Sequence, residues 1–366
     1  MKEALRIVSI VFISFLLLTC GENSSEKAEI EAKSGVSKKD VTEHFGKLFE
    51  EMIQKMQTDL DRFEIEVDSF QNEPTVENLE ALQTEWKNLT ITVQQSSFLN
   101  VGPIKTKYGF LPINYWPVNS VKIDQVLTGN DQLDSEFMAK AGNSIKGVWA
   151  LEDLLFDKEK SQMELINEFA GPNGAQRFSF VEAQVDYLRD RLKVLEQLWT
   201  DYRPSFSKNE GSGTNEPFSL VINRITSELE RIKNESLAKP MGLSLGGEPA
   251  PTLIKGYESE SGILMIRNEL AGTSFLFNTD KNGPSLAQMV NSKDQGTKLV
   301  SRINSKFDEA RDITDGFDIP LSQAVVEQPD KVRQLHETVQ DLIVLFKTEV
   351  TSTLGVTITF NDMDGD

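Results

Sequence analysis

The chain has 366 residues, which is long enough for two domains that each bury a hydrophobic core. Its 57 Asp and Glu residues outnumber its 38 Lys and Arg residues, giving a formal net charge of −19 at pH 7. Because so negative a chain repels phosphate backbones, its net field argues against nucleic-acid binding and makes cations its natural small ligands.

The first residues have the pattern of a secretory signal. Lys2 and Arg6 precede an apolar run over residues 7–18, which is too short for a comfortable membrane span. The run ends in "LLTCG", with Leu17 three residues before Cys20, the only cysteine of the protein. A single thiol has no partner for a disulfide, so this pattern predicts lipid attachment at Cys20. A simple cleaved signal is the alternative, because the threonine before the cysteine is larger than usual.

These observations predict a lipoprotein signal peptide over residues 1–19 and a disordered tether over residues 20–39. The protein is then expected in the bacterial cell envelope, held to a membrane by the lipid on Cys20. It could lie on the outer membrane and face either the periplasm or the cell surface.

Helical periodicity begins at Asp40, a plausible N-cap, and continues to about residue 70. Thr75 caps a second predicted helix, and the proline-rich "INYWPVN" predicts an ordered loop. The stretch "SIKGVWALEDLLFD" is predicted as one buried helix, with Lys146 and Asp153 on its wet stripe. Glu152 falls roughly 120° from that stripe, among apolar residues. A carboxylate there needs a partner or a function.

Further long helices follow, and almost nothing alternates with the period of a strand. The predicted fold class is therefore all-α, with two helical-bundle domains. The flexible insert "NEGSGTNEP" places the boundary between an N-terminal bundle over residues 40–208 and a C-terminal bundle over residues 209–366.

The chain offers few groups for metal or nucleophilic chemistry. Its only histidines, His44 and His336, have no partner at ligand spacing and are expected at the surface or rim. A zinc-protease His-Glu-x-x-His helix is excluded, and a Ser-His-Asp triad has no support. The terminal "DMDGD" resembles the start of a calcium loop, although the remaining ligands cannot follow it, so a charged terminus is the simpler interpretation.

Several stretches resemble the imelysin-like proteins, in the order expected for that family. They are "PTVENLEALQTEW", "INYWPVNSVKID", "GYESESGILMIRNELAG" and "LGVTITFNDMDGD". The resemblance covers about residues 40–366. It implies a secreted or lipid-anchored bacterial envelope protein of two helical bundles, linked with iron uptake and originally labelled a peptidase.

The family's signature, Gly-x-His-x-x-Glu, aligns with "GVWALE", so Gly147 and Glu152 are retained and Trp149 replaces the histidine. A histidine and a glutamate at this spacing share a helix face and can bind one cation. An indole N–H cannot ligate a metal, which leaves Glu152 as the one candidate ligand for iron or another divalent metal.

The resemblance also places the Glu-Ser-rich loop near the signature helix, which makes Tyr257, Glu258, Ser261 and Arg267 candidates for the same pocket. Glu152 could instead accept hydrogen bonds from Trp149 or a tyrosine, or pair with an arginine such as Arg267.

The leading hypothesis is a non-catalytic ligand- or metal-binding lipoprotein associated with iron uptake. Its partners would be iron-transport or other envelope proteins, and no nucleic acid. A metallopeptidase of the imelysin type is the runner-up, and a surface scaffold that has lost metal binding is the third hypothesis. On the leading hypothesis, Glu152→Ala would lose the ligand and fold normally or better, because a buried charge is removed.

Overall fold

A computed structural model describes residues 35–208, 213–243, 246–279 and 283–358. The predicted signal peptide, Cys20, most of the tether and the terminal "DMDGD" lie outside the described residues. Within the described ranges the structure is helical and contains no strand, which confirms the predicted all-α class. None of the helices described is both long and apolar enough to cross a membrane.

The described part of the first half of the chain contains three long helices, with five short helices between the second and the third. They are α1 (Lys38–Asn72), α2 (Val76–Gln95), α3 (Gly102–Thr106), α4 (Ser120–Leu127), α5 (Ser135–Lys140), α6 (Val148–Leu155), α7 (Gln162–Ala170) and α8 (Gly174–Lys208). Short 3-10 turns also occur there, at Ser97–Leu99 and Asn143–Ile145.

The second half of the chain also combines long and short helices. Its helices are α9 (Pro217–Arg231), α10 (Gly262–Asn278), α11 (Leu286–Asn291), α12 (Gly296–Asp315), α13 (Leu321–Glu327), α14 (Pro329–Val344) and α15 (Thr351–Leu354). Two π-helical segments, Ile232–Ala238 and Leu345–Val350, continue α9 and α14, and Pro251–Leu253 forms a 3-10 turn.

Helix α1 begins earlier than predicted, because Ser37 and not Asp40 is its N-cap. The Ser37 hydroxyl accepts a hydrogen bond from the Asp40 N–H at 3.1 Å, and the Asp40 carboxylate accepts from the Ser37 N–H at 2.8 Å. This reciprocal capping box satisfies two N–H groups at the helix start. The Ser37 hydrogen bonds also lower the pKa of Asp40. The Thr75 cap of α2 is confirmed.

Helix α1 packs against α2 and α8, and aromatic rings fill the space between them. The Phe49 ring centroid lies 5.1 Å from that of Phe98, 4.8 Å from Trp199 and 5.6 Å from Phe206. In the second half, α12 packs against α14 and α10, and Phe277 meets Phe346 edge-on at 5.2 Å. Burial of such rings supplies most of the energy that holds these helices together.

A network of buried charges joins α9 to α10. Arg231 contacts Glu228 at 2.6 Å and Glu269 at 3.0 Å, and Arg224 also pairs with Glu228. Lys255 lies 3.9 Å from Glu269, and burial lowers its pKa to about 8. Removing one partner of such a network would leave a buried charge uncompensated, so these residues fix how the second half packs.

The two halves meet where α2 crosses α10. Gln95 donates to the Asn268 side chain at 2.8 Å, and a Cβ at Gly272 would lie 2.7 Å from the Gln95 carbonyl oxygen. Only glycine allows so close an approach of the two backbones. The buried apolar residues of both halves form one connected cluster, and the domain boundary after residue 208 stays a prediction.

Candidate functional site

The signature helix α6 spans Val148–Leu155, so the prediction of one helix through "SIKGVWALEDLLFD" is wrong at both ends, and most of all at its start. Gly147 has a φ of +85°, which breaks the helical path between the Asn143–Ile145 turn and α6. A Cβ at Gly147 would lie 2.6 Å from the Ile113 carbonyl oxygen, which itself accepts from the Val148 N–H at 3.1 Å. Both the backbone angle and the close approach require glycine here.

Gln184 on α8 holds this bend in place. Its amide oxygen accepts from the Gly147 N–H at 3.1 Å, and its amide nitrogen donates to the Ile145 carbonyl at 2.7 Å. Gln184 is fully buried, so both hydrogen bonds are sheltered from water. The sequence analysis missed this residue, because a glutamine in a long helix gives no sign of which backbone it will meet.

Trp149 is a core residue. It is fully buried, its indole N–H donates to the Asn114 side-chain oxygen at 2.7 Å, and its ring meets Trp86 edge-on at 6.0 Å. Gln94 donates to the same Asn114 oxygen at 2.8 Å. Trp149 therefore packs and orients α6, and the sequence suggestion that it donates to Glu152 is wrong.

The partner of Glu152 is Ser259, which the sequence analysis did not single out. Glu152 is only 6 % exposed, and its Oε1 accepts from the Ser259 N–H at 3.0 Å and from the Ser259 hydroxyl at 2.6 Å. No hydrogen bond from a described residue reaches Oε2. Glu152 thus ties α6 to the segment 256–261, which we call the Glu-Ser loop. The signal that could have found Ser259 is its position in "YESES", one residue after Glu258.

The Glu-Ser loop is a tight turn whose serines form a chain of hydrogen bonds. The Ser259 and Ser261 hydroxyl oxygens lie 2.7 Å apart, and both residues are buried. Gly256 and Glu260 have positive φ values of +76° and +54°. The loop therefore presents Ser259 to Glu152 with Ser261 directly behind it.

Burial raises the pKa of Glu152 to about 7, although the two hydrogen bonds from Ser259 oppose the shift. The negative charges of Glu258 and Asp153 add to the increase. A carboxyl group with this pKa changes its charge near neutral pH, which is uncommon outside functional sites.

Tyr257 and Glu258 lie beside Glu152 and do not contact it. The Lys158 ammonium lies 4.4 Å from the centre of the Tyr257 ring. The backbone N–H of Lys158 donates a long hydrogen bond of 3.4 Å to the Glu258 carboxylate. The contact with Tyr257 raises the pKa of Lys158, and its ion pair with Glu159 adds to this.

Tyr257 and Glu258 line a cleft of about 400 Å³ next to α6, which we call the acidic cleft. Its carboxylates outnumber its cations, and Asp157 and Glu159 are already paired with Lys160 and Lys158. The carboxylates without an ion pair to a described residue are Asp124, Asp153 and Glu258. Burial raises the pKa of both Asp153 and Glu258, so a cation in the cleft would stabilise their charged forms.

Arg267 does not pair with Glu152, contrary to one of the sequence alternatives. It forms an ion pair with Asp315, and its guanidinium lies 3.4 Å from the Thr314 carbonyl oxygen. Arg267 lines a separate open pocket of about 460 Å³ on the far side of the Glu-Ser loop, together with Ser259 and Glu260. Of the predicted pocket residues, Ser261 reaches Glu152 through Ser259, and Tyr257 and Glu258 line the acidic cleft.

The residues around Glu152 do not fit a directly coordinated metal ion. Among the residues described, no group of three His, Cys, Asp or Glu side chains is placed to hold one. Trp149 offers no lone pair, and Glu152 Oε1 already accepts two hydrogen bonds. His44 and His336 lie far apart in sequence on α1 and α14, each partly exposed, and burial lowers the pKa of His336.

The fold and this site define an all-helical protein of the bundle class, whose site is a contact between a short helix and a loop beside a charged cleft. The chain belongs to the imelysin family, because the family model for imelysin matches residues 50–348. No curated protein matches the sequence.

Two solved structures share the fold. An imelysin-like protein from Psychrobacter arcticum 273-4 superposes with a TM-score of 0.69 at 16 % identity, over 94 % of this chain and 100 % of its own. A "putative iron-regulated protein A precursor" from Parabacteroides distasonis ATCC 8503 gives a TM-score of 0.71 at 13 % identity, over 87 % and 97 %. At these identities the likeness concerns the fold alone.

The Gly147 bend can be tested with a matched pair of glycines. Gly147→Ala is expected to lower the free energy of unfolding by about 3 kcal/mol, because the new methyl group meets the Ile113 carbonyl at a positive φ. Gly142→Ala, at a glycine with no atom within 4 Å and a φ of −70°, should change it little. Urea unfolding of both variants measures the difference, and equal stabilities would contradict the assigned role.

The raised pKa of Glu152 predicts a pH dependence of stability. Between pH 4.5 and about 7 the folded protein binds more protons than the unfolded chain, so this carboxyl lowers stability as pH rises. Above a pH of about 7 the contribution of this carboxyl to the free energy of unfolding is lower by about 3 kcal/mol than it is below pH 4.5. Glu152→Gln should abolish this part of the pH dependence and equal or exceed wild-type stability at pH 8.

Glu152→Ala separates the charge from the hydrogen bonds. It removes the acceptor as well as the charge, leaving the Ser259 N–H buried without a partner at a cost of about 2 kcal/mol relative to Gln. This cost opposes the gain from removing the charge, so Ala is expected to be less stable than Gln at every pH. Urea unfolding from pH 4 to 9 compares the three proteins, and a Gln variant that keeps the wild-type slope would contradict the pKa assignment.

Proposed function

We propose that this protein is a non-catalytic binding protein of the bacterial cell envelope that takes part in iron uptake. The observation that carries the proposal is the buried Glu152 carboxylate, which joins α6 to the Glu-Ser loop. The residues next to this contact in the chain, Asp153 and Glu258, line the acidic cleft. A ligand in the cleft would therefore contact residues of both α6 and the Glu-Ser loop. A pKa near 7 makes the contact sensitive to a charge placed beside it.

The cleft favours a cationic ligand. Asp124, Asp153 and Glu258 contribute negative charge that no described cation pairs with, and two of these carboxyls have raised pKa values. Because the carboxylates do not converge as a ligand set, the cation would be held as a hydrated ion or as a complex. This is consistent with iron handling in which the protein supplies charge and shape, and the metal keeps most of its own ligands.

The link to iron rests on similarity. A neighbour of the same fold carries the name of an iron-regulated protein, and the chain belongs to the imelysin family. Together with the acidic cleft, this supports a role beside an iron-transport system, with envelope proteins as the partners.

The metallopeptidase alternative has little support from the described residues. Activation of water by a metal needs several ligands around an open position, and α6 offers Glu152 with Trp149 where the family has histidine. A surface scaffold without ligand chemistry would show no cation binding at the cleft.

Cation binding should depend on the cleft carboxylates. Metal-stripped protein is titrated anaerobically with ferrous iron, and separately with ferric iron, zinc and calcium, and the metal bound per chain is counted. About one ion per chain is expected, lost in Asp153→Asn and in Glu258→Gln because each removes a negative charge from the cleft. Glu136→Gln, which removes a charge from the exposed face of α5, is the matched control.

Glu152→Gln belongs in the same titration, where it should weaken binding less than the two cleft variants, since Glu152 contacts Ser259. Binding that survives both cleft substitutions would place the cation elsewhere. Absence of binding to every metal would favour the scaffold.

The envelope location rests on Cys20, which lies outside the described residues. Cys20→Ser is expected to release the protein from membranes, because no other predicted segment anchors it. Metabolic labelling with a radioactive fatty acid, followed by membrane fractionation, compares the variant with wild type. Label that remains on the Ser variant, or an unlabelled wild type, would contradict lipidation at Cys20. Labelling of intact cells from outside then reports which face carries the protein.

A further inference from the structure

A second pocket, of opposite charge to the acidic cleft, lies on the other side of the Gly147 bend. It has a volume of about 350 Å³ and is enclosed by α5, the Asn143–Ile145 turn and α8. Lys146 and Arg191 line it together with the Tyr187 ring. We call it the cationic pocket.

Lys146 is buried, contrary to the sequence interpretation that places it on a solvated stripe. The helix starts two residues later, and the bend at Gly147 turns Lys146 away from α6 so that only 4 % of it is exposed. Its ammonium lies 4.7 Å from the centre of the Tyr187 ring, and no ion pair or hydrogen bond from its side chain to a described residue is formed. A lysine buried to this degree without a carboxylate is rare.

Arg191 provides the second cation. Its guanidinium carbon lies 5.8 Å from the same Tyr187 ring, and it too forms no ion pair with a described carboxylate. Asp190 also lines the pocket, but it is exposed and its ion pair at 3.3 Å is with Lys193. The positive charge of Arg191 disfavours the charged form of Lys146, and neither side chain has a carboxylate partner among the described residues.

The charges that line the pocket favour a negatively charged ligand. Burial lowers the pKa of Lys146, and the positive charge of Arg191 lowers it further. A negative group between the two side chains would oppose both effects, because it stabilises the charged form of Lys146. Ser135 and Asn143 line the same pocket and can donate hydrogen bonds to the oxygens of such a group. Met138 contributes an apolar surface to the pocket.

We propose that the cationic pocket binds a small oxyanion, a carboxylate or a phosphate group, between Lys146 and Arg191. A guanidinium and an ammonium are the side chains that recognise such groups, through charge-assisted hydrogen bonds. Its volume of about 350 Å³ is sufficient for a small metabolite. The cationic pocket is distinct from the acidic cleft, where carboxylates outnumber cations and disfavour an oxyanion.

The test is isothermal titration calorimetry of the purified full chain at low ionic strength, with inorganic phosphate in one arm and citrate in the other. One saturable site with a dissociation constant of about 1 mM or tighter is expected for at least one probe. Phosphate alone would indicate a phosphate ligand, and citrate alone a carboxylate. Lys146→Met and Arg191→Gln should each weaken binding at least about tenfold, because each removes a charge-assisted contact.

Lys298→Gln, which removes an exposed cation on α12, is the matched control and should bind as wild type does. Lys146→Met should fold with a melting temperature equal to or above that of wild type, since it removes a desolvated charge. The same concentration of probe should raise the melting temperature of wild type more than that of Lys146→Met. Should that variant not fold, Arg191→Gln carries the comparison.

Three results would overturn the proposal. The first is no saturable heat from either probe up to about 20 mM, far above the expected dissociation constant. The second is undiminished binding by the variants of the pocket. The third is equal loss in Lys298→Gln, which would show attraction to charge in general.

Discussion

The backbone bend at Gly147 is the constraint on which the site depends. A positive φ and the close approach to the Ile113 carbonyl end one path of the chain and start α6 in a new direction. Gln184 fixes the bend from α8 with two buried hydrogen bonds. Lys146, before the bend, lines the cationic pocket, and Glu152, after the bend, contacts the Glu-Ser loop.

The arrangement puts two buried, ionisable side chains of opposite sign within six residues of one another. Each is shifted by burial in the direction that weakens its charge, Glu152 upward and Lys146 downward in pKa. The hydrogen bonds from Ser259 offset part of the desolvation cost of Glu152. The ammonium of Lys146 contacts the Tyr187 ring and no described carboxylate. The buried rings of Trp149 and Trp86 pack edge-on and contribute to the position of α6.

Much of the fold followed from periodicity, and parts of the site did not. The long helices and the Thr75 cap were predictable, because apolar spacing and capping chemistry act between residues close in sequence. The start of α6 was mispredicted, because "SIKGVWALEDLLFD" has helical spacing throughout and nothing local shows that Gly147 takes a positive φ. Helical spacing singled out Glu152 and the resemblance added the Glu-Ser loop, but Ser259, Gln184 and the pairing of Arg267 with Asp315 came from the structure.

The sequence by itself determined an all-helical protein with few metal ligands, a tryptophan in the place of the signature histidine, and a carboxylate on an apolar side of its helix. Those properties depend on residue type and on spacing of three or four positions. The tertiary structure decided which groups satisfy that carboxylate, which cations stay unpaired, and which helices bring them together. Glu152 and Ser259 are separated by more than a hundred residues, and Lys146 and Tyr187 by about forty. Contacts over such distances arise from how whole helices pack, which no short stretch of sequence encodes.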